Sequence, residues 1–203
     1  MPSTSKIVLA SARLRTLLFA MPSGRTHDRI TLWSLLPIAS TTYLLSQRAS
    51  VTLFLAGGYL FSGLMFGPDL DTHSSQYRRW GWLRWIWLPY RRAMRHRSLW
   101  SHGVVIGTIG RILYLVGLVG LLVLLGLLVW EISLWLSDAP NIVWQTAQQG
   151  INFGLVELGR SLQTYPLEWM GALVGLELGS LSHSISDWLV SAVKRRQRSK
   201  RVK

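Results

Sequence analysis

The sequence predicts an all-α protein: an integral membrane helical bundle with four transmembrane helices and a polar site on its cytoplasmic side. Three observations lead there. Four apolar stretches have span length, basic residues cluster at their ends, and charged residues make up only 15% of the 203-residue chain, against roughly 25% in soluble domains.

The first stretch covers residues 30–46, with no charge between Arg29 and Arg48 and with Pro37 inside it. A membrane helix tolerates such a proline. The second covers 50–68, free of charge from Arg48 to Asp69. The short link between the two predicts a helical hairpin. The third covers 104–136 and exceeds what a bilayer needs, so it tilts or projects. The fourth covers 166–193, opened by Pro166, a residue suited to the first helical position. Residues 138–165 read as a loop with room for a short helix.

The flanks follow the same scheme. Residues 1–20 form a basic extension, either interfacial or dispensable, since Met21 reads as an alternative start. Residues 21–193 form the four-span unit, and 194–203 a basic tail. The 72–103 segment is basic and rich in tryptophan, which predicts a stretch lying on headgroups. Nineteen of the 22 Lys and Arg residues fall in the N-terminal segment, the 72–103 loop or the tail. By the positive-inside rule this expects both termini in the cytoplasm and the chain in a bacterial inner or internal membrane.

The net charge of +13 reflects scarce acids, of which there are nine. No nucleic-acid-binding motif accompanies it. The absence of cysteine excludes disulfides, iron–sulfur clusters and thiolate zinc sites. Any transition metal here must use imidazole and carboxylate.

Alternating helices would bring distant polar residues to one end. His27 and Asp28 precede the first stretch, and Asp69 and Asp71 follow the second. His96 and His102 precede the third, and His183 and Asp187 lie late in the fourth. His183 and Asp187 stand four apart and share a helix face. The same ridge carries Gly171, Gly175 and Gly179, and small residues at this spacing let helices approach closely. The expected ligands of a divalent ion, zinc or manganese, are His27, Asp69, Asp71, His96, His102, His183 and Asp187. Asp28 would orient an imidazole or take a proton, and Arg97 would neutralise a phosphate oxygen. His73 reads as a loop residue. Glu177 is expected outside the ligand set, paired with Arg111 within the bundle.

Four ordered motifs carry a family resemblance. They are Ser23-Gly-Arg-Thr-His-Asp, Gly67-Pro-Asp-Leu-Asp, His96-Arg with Ser101-His102, and Gly179 with Ser182-His183 and Asp187. Over about residues 21–193 the chain resembles a bacterial and archaeal family of predicted metal-binding proteins, domain of unknown function 2227. That family is similar to small proteins described as membrane-bound metal-dependent hydrolases, themselves likened to zinc-dependent phospholipase C enzymes. The resemblance implies metal binding more firmly than hydrolysis.

The expected function is therefore a multi-pass membrane protein binding divalent metal at its cytoplasmic face, as a metal-dependent hydrolase of a lipid or membrane-associated phosphoester. The competing reading is a non-catalytic metal-binding scaffold or assembly factor for a membrane complex. A transporter is disfavoured, because transport sites lie near the midplane. Expected partners are membrane lipids, including anionic headgroups, and a protein docking on the 72–103 loop or the third stretch.

Overall fold

The computed structural model describes residues 24–94, 98–137 and 142–201. All regular elements among them are helical. Helices α1 (Gly24–Ser46) and α2 (Ala49–Leu64) form an antiparallel hairpin, turned at Gln47, whose φ is 52°. Its two arms are stitched by Ser34 and Tyr59, whose hydroxyls lie 2.5 Å apart. Near the open end, Thr31 packs on Gly63.

Pro68 ends the hairpin in a 3₁₀ turn, Pro68–Asp71. Short helices follow: α3 (Ser75–Arg79), a 3₁₀ stretch (Gly81–Trp87), α4 (Leu88–Ala93) and α5 (Leu99–His102). Ser74 caps α3 by accepting the Tyr77 N–H, the usual role of serine there. Three long helices complete the chain: α6 (Ile106–Leu136), α7 (Val143–Thr164) and α8 (Pro166–Arg201).

Helix α8 runs parallel to α2, and glycine makes their contact possible. A Cβ at Gly171 would stand 3.1 Å from the Val51 carbonyl oxygen. At Gly175 and Gly179 it would collide with the main chain of α2 at Leu55 and Tyr59. Gly58 faces the Ala172 carbonyl in the same way from the other side. The ridge predicted from small residues every fourth position is thus a backbone-to-backbone seam. At its far end the Ser50 hydroxyl donates to Glu168 Oε1 at 2.7 Å.

The segment after α2 is a folded cap with its own apolar core: Phe66, Leu70, Tyr77, Ile86, Trp87 and Tyr90. Trp87 is wholly buried and meets Phe66, Trp80 and Tyr90 edge-on. Tryptophan in 72–103 therefore divides by position. Trp87 packs the core, while Trp82 and Trp85 are exposed, so the segment is not a ribbon laid flat on a surface.

Helix α6 joins this cap by its first turns only, where Gly107, Thr108 and Arg111 are buried and Tyr114 donates to the Ile86 carbonyl. Residues 138–141 lie outside the described residues, and the 143–164 stretch that follows is one continuous helix rather than a loop with a short helical piece.

The four-span expectation is not met. Among the described residues two segments, Ala49–Asp71 and Ile106–Leu136, are long and apolar enough to cross a membrane by length and composition. Helices α1 and α8 do not qualify. Serines and threonines interrupt α1, and α8 carries Glu168, Glu177 and Asp187 before its basic end. The misreading has a physical source. Freedom from charge over a span-length stretch is not the same as hydropathy, and the small polar and acidic residues of α1 and α8 leave them less apolar than a span requires. The multi-pass location with both termini cytoplasmic falls with it, because the charge count orients a chain only if the chain crosses at each predicted place. Residues 1–20 lie outside the described residues, and α8 continues through most of the basic tail to Arg201.

Candidate metal centre

Four elements converge at the open end of the hairpin. The first turn of α1 supplies His27, the 3₁₀ turn Asp69 and Asp71, α5 His102, and α8 His183 and Asp187. The turn forms here because Pro68 cannot continue α2 as a donor. The α2–α8 seam sets the depth of α8 and thereby of His183 and Asp187.

Around the stacked imidazoles of His27 and His183, the Asp69 and Asp187 carboxylates lie further out, while Asp71 is buried. His27 and His183 are 7% and 4% exposed, whereas the Asp69 and Asp187 side chains are 24% and 21% exposed. The His27 and His183 rings stack with centroids 4.0 Å apart. His27 Nε2 lies 3.3 Å from Asp187 Oδ1, and His183 Nε2 lies 3.1 Å from Asp69 Oδ2. His102 Nε2 is 3.9 Å from Asp69 Oδ1, and its Nδ1 is 3.8 Å from Asp71 Oδ2.

Hydrogen bonds specify which ring nitrogen faces the centre. The Ser186 hydroxyl donates to the His183 carbonyl at 2.8 Å. The same hydroxyl lies 2.8 Å from His27 Nδ1, a hydrogen bond whose donor is set by the imidazole tautomer. His27 Nε2 is thereby turned to Asp187 Oδ1, which it meets through a proton or, as a ligand, through a shared metal ion. Among the described residues, both buried ring nitrogens of His183 lack a hydrogen-bond partner; the Asp69 oxygen is near but off the direction an N–H bond requires. Buried polar atoms are rarely left so, and a metal ligand is one resolution.

Burial pushes the carboxyls of Asp69 and Asp187 up, but the imidazoles outweigh it. His183, with the charges of His102 and His27, holds Asp69 below its ordinary value, and His27 and His183 do the same for Asp187. Both carboxyls are thus kept ionised, as metal ligands must be.

The donor atoms form two sets, each within 4.8 Å: His27, His183 and Asp187, and Asp69, His102 and Asp187. His/Asp clusters able to coordinate a divalent ion are therefore present. Beside them, a cavity of about 20 Å³ is lined by His27, Asp28, Gly63, Asp69, Gln76 and His183, among others. That is room for one water-sized occupant.

Not every expected residue joins. His96 and Arg97 lie outside the described residues. Asp71 adjoins His102 but stands outside both sets. Asp28 edges the cavity, yet its Oδ2 is engaged by Arg79 at 2.5 Å. His73 is exposed and meets Tyr77 edge-on, as a loop residue would. Arg111 does not bridge to Glu177 among the described contacts. It donates to the Ser101 carbonyl at 2.9 Å and to Thr108 Oγ1 and Ser180 Oγ at 3.0 Å, while Glu177 Oε1 accepts the Val105 N–H.

Sequence reasoning missed the supports. Arg79 spans Asp28 and the Leu64 carbonyl. Gln76 donates to the Gly63 carbonyl at 3.0 Å. The Ser101 hydroxyl lies 2.9 Å from His102 Nδ1, and Ser186 holds His27. Two of these carried a usable signal: Ser101 adjoins His102, and Ser186 follows His183 by three residues on one helix face.

The fold and site define a class: an all-helical protein with an imidazole–carboxylate centre gathered from four elements. Residues 22–197 match the family described as uncharacterized metal-binding protein (DUF2227). The chain belongs to that family. An uncharacterized protein of Aquifex aeolicus (strain VF5) is 37% identical over 59 residues, 29% of this chain and 41% of that protein. The chain thus spans less than half the length of that curated relative. No solved structure matches.

The multi-pass and lipid-hydrolase readings do not survive this description. A site opening at headgroup level required four spans, and among the described residues two segments are long and apolar enough. Zinc and hydrolysis have no support of their own in the geometry. A His/Asp metal cluster remains.

Proposed function

We propose that this protein binds a divalent first-row metal ion through His27, Asp69, His102, His183 and Asp187. The observation that carries the reading is the His27–Asp187 approach at 3.3 Å, with Ser186 taking the other ring nitrogen. A metal ion between His27 Nε2 and Asp187 Oδ1 reconciles the two atoms, and so does a proton on Nε2; metal addition to the stripped protein separates the two. The donor set of imidazole and carboxylate, without thiolate, suits zinc or manganese. Ser186 and Ser101 would orient two of the imidazoles, the role outer hydrogen bonds play around metals. The carboxylates sit at the outer edge, so the metal would be reachable from one side.

The test is thermal unfolding of the chelator-stripped protein with and without added Zn²⁺ or Mn²⁺. A ligand present at 100 times its Kd stabilises the folded state by about 2.7 kcal/mol. A metal-dependent rise in Tm that vanishes in His183→Ala and Asp187→Ala is expected. An unchanged Tm in the native sequence, together with no retained metal, would sink the proposal.

A further inference from the structure

We propose that the centre holds two ions rather than one, with Asp187 and Asp69 as the shared ligands. This rests on the metal-binding reading and goes beyond it. Ligands on opposite sides of one ion at about 2.1 Å stand no more than about 4.2 Å apart. A single ion therefore requires all its donors to be mutually close. Here they separate into two sets of three, joined at Asp187. His27 and His183 belong to one set and His102 to the other.

Asp69 strengthens the division. Its Oδ2 lies 3.1 Å from His183 Nε2, in the first set, while its Oδ1 lies 3.9 Å from His102 Nε2, in the second. Each oxygen of one carboxylate thus faces the imidazole of a different set. That is the placement of a bridging carboxylate, and such bridges suit ion pairs, whose members generally sit about 3.5–4 Å apart. The chain origins agree. The first set comes from α1 and α8, and the second adds the 3₁₀ turn and α5, so each half brings an imidazole from an element of its own and the two meet at Asp187.

The experiment uses the purified full-length chain, stripped with chelator, reloaded with Mn²⁺ and desalted. Ion content is read by mass spectrometry and ion–ion coupling by electron paramagnetic resonance. The native sequence should retain two ions per chain with a coupled spectrum. His27→Ala and His102→Ala should each retain one, with the spectrum of an isolated ion, and the double variant should retain none. Helix content by circular dichroism checks folding, and His27→Gln and His102→Gln serve where alanine fails to fold. One ion per chain in the native sequence, with an uncoupled spectrum, overturns the two-ion centre and leaves metal binding standing. No retained ion, with a Tm unchanged by added Zn²⁺ or Mn²⁺, overturns both.

Discussion

The two ends of the molecule use similar residues for opposite purposes. At the site end, glycine brings backbones together: Gly175 and Gly179 let α8 lie on the main chain of α2. Along the distal part of α6, Gly117, Gly120 and Gly126 have nothing within reach of a Cβ. Leucine divides likewise. Leu55 and Leu70 are buried, whereas Leu121, Leu122, Leu124 and Leu125 are exposed. No residue in the most apolar window of α6 is buried within the chain. An apolar run in sequence is therefore no measure of burial. What separates the ends is whether a second element lies close enough to exclude water.

The sharpest way to break this comparison is Gly175→Leu. Its side chain would meet backbone, which cannot rotate aside, so a loss of about 3 kcal/mol or more is expected in denaturant unfolding. Metal binding should be lost with it, because the seam positions His183 and Asp187. Near-native stability would show that the seam does not set the fold.

Arg111→Leu comes next. The buried guanidinium ties α5 to α6 and α8 through Ser101, Thr108 and Ser180, and its removal leaves three oxygens without that donor. A cost of about 2–3 kcal/mol is expected. The Ser101–His102 contact should loosen as well, visible as a shifted His102 imidazole resonance by NMR.

Ser186→Ala tests the site without disturbing the seam. Loss of an outer hydrogen bond to a ligating imidazole typically costs 10- to 100-fold in metal affinity, about 1.4–2.7 kcal/mol. Calorimetric titration with Zn²⁺ should show that loss with little change in the metal-free Tm. An unchanged affinity would remove the assigned role of His27 Nε2.

The smallest effect is expected from Gly126→Ala. In open space on a helix, alanine should stabilise by about 0.5–1 kcal/mol. Destabilisation would instead mean that this face of α6 is covered by something outside the chain, and the contrast between the ends would narrow.

Much of the framework was legible in residue order. The helical class, the short hairpin link, the proline that starts α8 and the glycine ridge are local patterns with local causes. The gathering of His27, Asp69, His102, His183 and Asp187 also followed from alternating helices, because each residue lies at a helix end or late on one. The four-span count failed because freedom from charge is not hydropathy: α1 and α8 carry serine, threonine or acidic residues within their length. The partition of tryptophans was not legible either: Trp85 and Trp87 are two residues apart, yet only Trp87 meets Phe66, Trp80 and Tyr90.

By itself the sequence determined which chemistry is available: no thiol, few acids, and imidazoles placed beside carboxylates. It also determined where α8 could press closely on a neighbour, because only residues without a Cβ permit backbone contact. The tertiary structure alone decided that Arg79 takes Asp28, that Ser186 orients His27, and that the donors fall into two sets. Those outcomes turn on distances of a few ångströms between elements far apart in the chain, and no periodicity encodes such distances.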